Sequence, residues 1–286
     1  MNSRSFRANS STGILPDISS GASRGWDRAV KVKVLGCSGA ELPGYNPPAF
    51  LIDGTILLDA GTIGTSLKEG SQWEIRDILI SHAHLDHIKA IPFLADNIII
   101  KQKHHSVTVF GMSSTLADLR KHLLNDRLWP DFTRISASIN PVLRLKNIRD
   151  GKPFRVHGYS VTAYAVSHTV PAVGYIIRDE NTGRTLLYTG DTGPTERIWR
   201  HAADVHAAII EVSFPNDMEK LARMTGHLTP DLLKGELEKM KRIPERVYVT
   251  HPKPQYIRQI RKEISAMGKK TGVTIEILKD GETYKV

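Results

Sequence analysis

Ser81-His82-Ala83-His84-Leu85-Asp86-His87 places four potential metal ligands within six residues. The Ile-rich segment from Ile75 to Ile80 runs straight into it and reads as a buried strand. A turn at the C-terminal end of such a strand presents several side chains to one cavity. His82 and His84 can reach one metal ion, while Asp86 and His87 turn toward a second. Neutral imidazole and carboxylate suit zinc and similar first-row cations. A polar surface loop of solvated histidines is the plain alternative, and so tight a mixed cluster argues against it.

The chain around this stretch has 286 residues, room for one large domain or two small ones. Hydrophobic content of 40% and charged content of 24% describe a globular protein with ample core. No apolar run approaches the ~20 residues of a membrane helix, and the first thirty residues lack the apolar centre of a secretory signal. Cys37 is the only cysteine, so no intrachain disulfide forms. That usage fits a reducing compartment, and a cytoplasmic location is expected. Net charge is +9, which favours phosphate-bearing substrates or nucleic acid; a basic surface without a specific partner is equally consistent.

Residues 1–28 are rich in Ser, Arg, Asn and Gly, with four Arg against two Asp. They are expected to form a flexible arm, with residues 29–286 as the folded domain. Val30 to Leu35 alternates as a half-buried strand. Asp53-Gly54 between Ala49–Ile52 and Thr55–Leu58 signals a tight hairpin. The second of those strands ends at Asp59, read either as an N-cap or turn residue or, beside a metal site, as one that orients a ligand histidine from behind. Ile88 to Ala95 reads as a helix disturbed by Pro92, and Ser113 to Leu124 as an amphipathic helix capped by Ser113. Residues 125–150, with Trp129 and Pro130, read as irregular, either walling a site entrance or packing as a surface loop.

Further strands are expected over Val107–Phe110, Val161–Val166, Val173–Ile177, Thr185–Thr189, Ala207–Val212, Arg246–Thr250 and Val273–Leu278. Helices are expected over Asn216–Thr225, Pro230–Lys241 and Ile257–Met267. Strands separated by helices or loops favour an α/β sandwich with ligands at strand ends. His168, Asp191 and His251 each follow an apolar strand-like run, and His227 lies in a loop before a helix.

The pattern His-x-His-x-Asp-His resembles the signature of the metallo-β-lactamase fold superfamily. With His168, Asp191, His227 and His251 downstream, the ligand order resembles that of its dinuclear phosphodiesterase branch, which includes class II cyclic-nucleotide phosphodiesterases and ribonuclease Z. The resemblance covers roughly residues 30–280. It implies an αβ/βα four-layer sandwich. It implies that His82, His84 and His168 bind one divalent ion, that Asp86, His87 and His251 bind another, and that Asp191 bridges them. Zinc is the expected ion, with manganese or iron as alternatives. The implied mechanism is in-line attack on phosphorus by a metal-bridged hydroxide. The catalytic candidates are Asp86, His227 and Glu211. His227 would donate to the phosphate or to the leaving group, and Glu211 would orient it.

Substrate signals divide. His168-Thr169-Val170-Pro171-Ala172-Val173-Gly174-Tyr175 and Gly226-His227-Leu228-Thr229 look like ribonuclease Z. Leu58-Asp59-Ala60-Gly61-Thr62, His84-Leu85-Asp86-His87-Ile88 and His251-Pro252-Lys253-Pro254 look like cyclic-nucleotide phosphodiesterases. Ala90 and Pro252 depart from that second pattern. The interval from His168 to Asp191 holds two strands and a turn but no RNA-gripping arm. A small anionic phosphodiester, a 3′,5′-cyclic nucleotide such as cAMP or cGMP, is therefore the expected substrate. RNA is the alternative, and a non-catalytic metal- or nucleic-acid-binding relative is the third reading. No membrane partner is expected, and a homodimer stays open.

Overall fold

The computed structural model describes residues 29–101, 105–136 and 140–286. The expected flexible arm, residues 1–28, lies outside them. The first sheet contains β1 (Lys31–Gly36), β2 (Ala49–Ile52), β3 (Ile56–Leu58), β4 (Asp77–Leu79), β5 (Val107–Gly111) and β6 (Leu143–Asn147) in sequence order. The second contains β7 (Pro153–Val156), β8 (Tyr159–Val166), β9 (Ala172–Asp179), β10 (Thr185–Tyr188), β11 (Ala207–Glu211), β12 (Arg246–Thr250) and β13 (Ile275–Ile277). The last strand, β14 (Thr283–Lys285), returns to pair antiparallel with β1 in the first sheet.

Period-two alternation divides each strand between two cores. Ile56 and Leu58 face inward with Phe50, Tyr175 and Tyr188, in a core built by both sheets. Leu57 between them faces outward, under Ile91, Leu94 and Ile98 of the helix Ile91–Ile100. On the other side, Ile210 and Val249 face Leu233 of the helix Pro230–Glu238 and Ile260 and Ile264 of the helix Ile257–Thr271. The result is helix, sheet, sheet, helix: the four-layer α/β sandwich expected. Both faces of the central strands are covered, which is why they read as continuous apolar runs.

The Asp53-Gly54 hairpin forms with φ of 44° and 75°, positive values that suit a tight turn between twisted strands, and with Ile52 opposite Ile56 its loop is Asp53-Gly54-Thr55. Three expectations need correction. The helix expected over Ile88–Ala95 is two helices, Leu85–Ile88 and Ile91–Ile100. Pro92 lies in the first turn of the second, where its missing N–H costs no hydrogen bond, so it starts that helix rather than disturbing it. Ser113 opens its helix without capping it; Met112 is the cap residue and no side chain accepts there, and the chain continues after Asp118 as a π turn over Leu119–Leu123. Residues 125–150 are not wholly irregular, because Leu143–Asn147 pairs parallel to β5. Trp129 packs edge-to-face on Phe93 at 5.0 Å, in the outer apolar layer.

Parallel β10, β11 and β12 end on one edge of the sandwich, as do β3 and β4 of the other sheet. The loops leaving these ends carry the chemistry.

Candidate metal centre

Two ligand groups meet between the strand ends. His82, His84, His168 and Asp191 bring one ligand atom each to within 4.8 Å of one another, and so do Asp86, His87 and His251. In the first group His168 Nε2 is 3.2 Å from His84 Nδ1. In the second, His251 Nε2 is 3.4 Å from Asp86 Oδ2. Asp191 belongs to both: its Oδ2 is 3.8 Å from His82 Nε2 and 3.3 Å from both His87 Nε2 and His251 Nε2. One carboxylate thus stands between two clusters of imidazole nitrogens.

Supporting hydrogen bonds fix which nitrogen faces inward in four of these rings. Asp59, buried and with φ of 51°, accepts from Ser81 N–H at 2.7 Å, Ser81 Oγ–H at 2.7 Å, His87 Nδ1–H at 2.8 Å and the Tyr188 hydroxyl at 2.5 Å. With its proton given to Asp59, Ser81 Oγ accepts from His82 Nδ1–H at 2.9 Å. His168 Nδ1–H donates to the Gly226 carbonyl at 2.8 Å. Ser213 Oγ donates to Glu211 Oε2 at 3.0 Å and accepts from His251 Nδ1–H at 2.8 Å. With Nδ1 carrying the proton, Nε2 of His82, His87, His168 and His251 keeps its lone pair for the cavity. Among the described residues, Nε2 of His82 and of His87 is buried without a hydrogen-bond partner. Buried nitrogens are rarely left so, and divalent cations fit the pair: both atoms face the same carboxylate across a site of imidazole and carboxylate donors.

The charges agree with such an occupant. Burial pushes the pKa of His82, His84 and His168 down, keeping these rings in the neutral form that binds metal. Burial also disfavours a charge on Asp191, but His251, His87 and His82 outweigh it and hold the carboxyl well below its usual range. Burial opposes ionisation of Asp86 too, and the neighbouring His251 and His87 overcome it, holding its carboxyl below the usual range. Burial opposes a proton on His87, yet Asp191 and Asp59 raise its pKa well above the ordinary value. Those two carboxylates call for a cation, and a proton or a metal ion can supply it.

His227 lies against both groups, with one ligand atom within 4.8 Å of those of Asp191 and His251, so these three form a third possible ligand set. Its ring lies 5.2 Å from that of His168 and 5.3 Å from that of His251, and its Nδ1–H donates to Glu211 Oε1 at 2.7 Å. Burial lowers its pKa, but the Glu211 carboxylate more than compensates and the net shift is upward. Glu211 is fully buried at the end of β11 and also accepts from Thr192 N–H at 3.1 Å.

Every candidate residue is therefore brought to one place: His82, His84, Asp86, His87, His168, Asp191, His227, His251 and Glu211. Sequence reasoning missed Ser81, Ser213 and Tyr188. Ser81 and Ser213 neighbour ligand or candidate positions, which is a signal in retrospect; Tyr188 sits within an apolar strand and gave none. Two glycines were missed as well. A Cβ on Gly39 would lie 2.6 Å from His251 Nδ1, and one on Gly226, at φ of 70°, 2.9 Å from His168 Nδ1. Both rings pack directly on backbone.

Comparison with known proteins fits this geometry. A probable 3′,5′-cyclic-nucleotide phosphodiesterase of Yersinia pestis is 27% identical over 243 residues, covering 74% of this chain and 68% of the relative. A ribonuclease Z of Halobacterium salinarum is 23% identical over 258 residues, covering 70% of this chain and 80% of the relative. Two further cyclic-nucleotide relatives are spanned over only 51% and 55% of their length, so the chain matches about half of each. The crystal structure of unliganded yeast PDE1 superimposes with a TM-score of 0.78 at 19% identity, covering 90% of this chain and 99% of that one; at that identity it speaks for the fold. The model of the beta-lactamase superfamily domain matches residues 55–251, well over half of the chain and every candidate ligand position, so this chain belongs to the β-lactamase superfamily and has its metallo-β-lactamase fold.

Proposed function

We propose that this chain is a metal-dependent phosphodiesterase that hydrolyses 3′,5′-cyclic nucleotides such as cAMP or cGMP to 5′-monophosphates. The observation that carries the reading is Asp191 Oδ2, set within 3.3–3.8 Å of His82, His87 and His251, a bridging position between two ligand groups. His82, His84 and His168 would hold one divalent ion, Asp86, His87 and His251 the other, and Asp191 both; zinc suits the donors best. Bound ions at such a site supply an acidified water as nucleophile and positive charge for the phosphate oxygens.

The chain's own residues do the rest. Asp59, Ser81, Gly226 and Ser213 orient the ligand rings. His227 holds a proton at Nε2, sustained by Glu211 at Nδ1, and delivers it to the departing 3′-oxygen or to a phosphate oxygen. Asp86, one-third exposed, stands at the mouth, so it borders the substrate as well as serving as a ligand.

The ribonuclease relative and the Gly226-His227-Leu228-Thr229 segment favour RNA as a second reading. Against it stands the tight β9–β10 hairpin, where Gly183 N–H donates to the Asp179 carbonyl at 2.8 Å and leaves no extension to grip folded RNA. The +9 charge serves either anion. Comparing kcat/KM of metal-loaded protein on cAMP, cGMP and precursor tRNA decides between them. Efficient tRNA 3′ cleavage with negligible cyclic-nucleotide turnover would reverse the assignment. No turnover of any phosphodiester by fully loaded protein would make it a non-catalytic relative.

A further inference from the structure

His251 has φ of 65°, in the left-handed region that a side-chain-bearing residue leaves unless neighbours hold it there. The loop Cys37-Ser38-Gly39 holds it. His251 N–H donates to the Cys37 carbonyl at 2.7 Å, and Gly39 N–H donates to the Pro252 carbonyl at 3.1 Å. The His251 ring rests on Gly39, where a Cβ would come within 2.6 Å of Nδ1. This loop therefore sets both the backbone and the ring of a proposed ligand.

One distant carboxylate holds the loop. Asp280 Oδ1 accepts from Cys37 N–H at 3.0 Å and from the Cys37 thiol at 3.1 Å. Its Oδ2 accepts from Asn46 N–H at 2.9 Å and from the Asn46 side-chain amide at 3.0 Å. The Asn46 carbonyl in turn accepts from Ser38 N–H at 2.9 Å. Gly281 N–H donates to the Val34 carbonyl at 2.8 Å and registers the C-terminal turn on β1. Four donors from two loops thus converge on one side chain, 243 residues from Cys37 in sequence.

We propose that Asp280 is a positioning residue for the Asp86–His87–His251 half of the metal centre, which makes the C-terminal turn part of that site. The proposal rests on the reading of those three residues as ligands of one ion. Asp280 acts through the 37–39 loop. Without its carboxylate, three N–H donors lose their acceptor and the Cys37 thiol keeps only the Leu278 carbonyl at 3.3 Å, so the loop relaxes and His251 loses its held conformation. The His82–His84–His168 half draws its support from Ser81 and Gly226 instead, so the loss is selective.

Metal-free protein titrated with Zn2+ or Co2+, with bound ions counted per chain, tests this without any activity assay. Wild type is expected to bind two ions. Asp280→Ala should bind one as before and the other at least tenfold more weakly, the usual effect of removing such outer support. Asp280→Asn keeps the volume but turns an amide toward the Asn46 donors; Asn46→Ala removes one of the four donors, its side-chain amide, and keeps its backbone N–H. Both should fold and show the same selective loss. Tyr159→Phe, which removes a 2.6 Å bond to Asp53 between the sheets, should lower Tm and leave both affinities unchanged. Two wild-type affinities in folded Asp280→Asn, or equal weakening of both ions, would overturn the proposal. Fewer than two ions in wild type would overturn the underlying reading, and that shows before any variant is made.

Discussion

Asp59→Asn removes one charge and one acceptor from the residue that ties Ser81, His87 and Tyr188 together. The Asp59 side chain is fully buried. Three of its four donors converge on Oδ2 and one, Ser81 N–H, on Oδ1. An asparagine there keeps its oxygen toward the three and turns its amide toward Ser81 N–H, donor against donor. A buried donor left without an acceptor costs about 1–3 kcal/mol, so the metal-free variant should lose that much stability in denaturant unfolding. Metal binding suffers separately. The carboxylate no longer supports the His87 ring, and Ser81, which holds His82 Nδ1, is displaced. Loss of such support weakens metal affinity by about 10–100-fold, or about 1.4–2.7 kcal/mol at 1.36 kcal/mol per tenfold. Competitive titration against a chromophoric chelator reads this directly. An Asp59→Asn protein with unchanged unfolding midpoint and unchanged affinity for both ions would refute the reasoning, because it would mean these bonds orient nothing.

Asp191→Ala should deplete both ions, as its Oδ2 stands between both groups; elemental analysis showing loss of only one would exclude a bridging role. His227→Ala should keep both ions and the fold while kcat falls by about 100-fold. The loss should shrink on bis-aryl phosphodiesters, whose leaving groups need little protonation; a parallel fall in metal content would make His227 a ligand or support. Away from the centre, Lys239 donates to Glu236 at 2.8 Å, Glu196 at 2.9 Å and the Thr195 carbonyl at 2.7 Å. Burial opposes its charge, but the two glutamates raise its pKa above the ordinary value. A raised folded pKa gives stability that is complete below the unfolded value of about 10.4 and lost as pH climbs through the folded one. Wild-type unfolding free energy should therefore drop above about pH 10.4 more steeply than that of Lys239→Met; identical slopes would refute the pairing.

The sequence by itself marked the candidate ligands and their order. His82, His84, Asp86 and His87 are adjacent, and His168, Asp191 and His251 each follow a recognisable apolar strand, so short-range pattern was enough to find them. The Asp53-Gly54 hairpin and the short span from His168 to Asp191 were legible for the same reason: the signal lies within a few residues. Strands β6, β7 and β14 were not. Leu143–Asn147 carries Arg144 and Lys146, Pro153–Val156 begins with proline, and Thr283–Lys285 has three residues; all three lie at or near sheet edges, where one uncovered side weakens the apolar signal. Only tertiary structure decided which groups support the ligands. Tyr188 reaches Asp59 across 129 positions and Asp280 reaches Cys37 across 243. A hydrogen bond between such partners leaves no local periodicity. It exists only because two sheets, each stabilised by its own apolar faces, bring the ends of their strands to one edge.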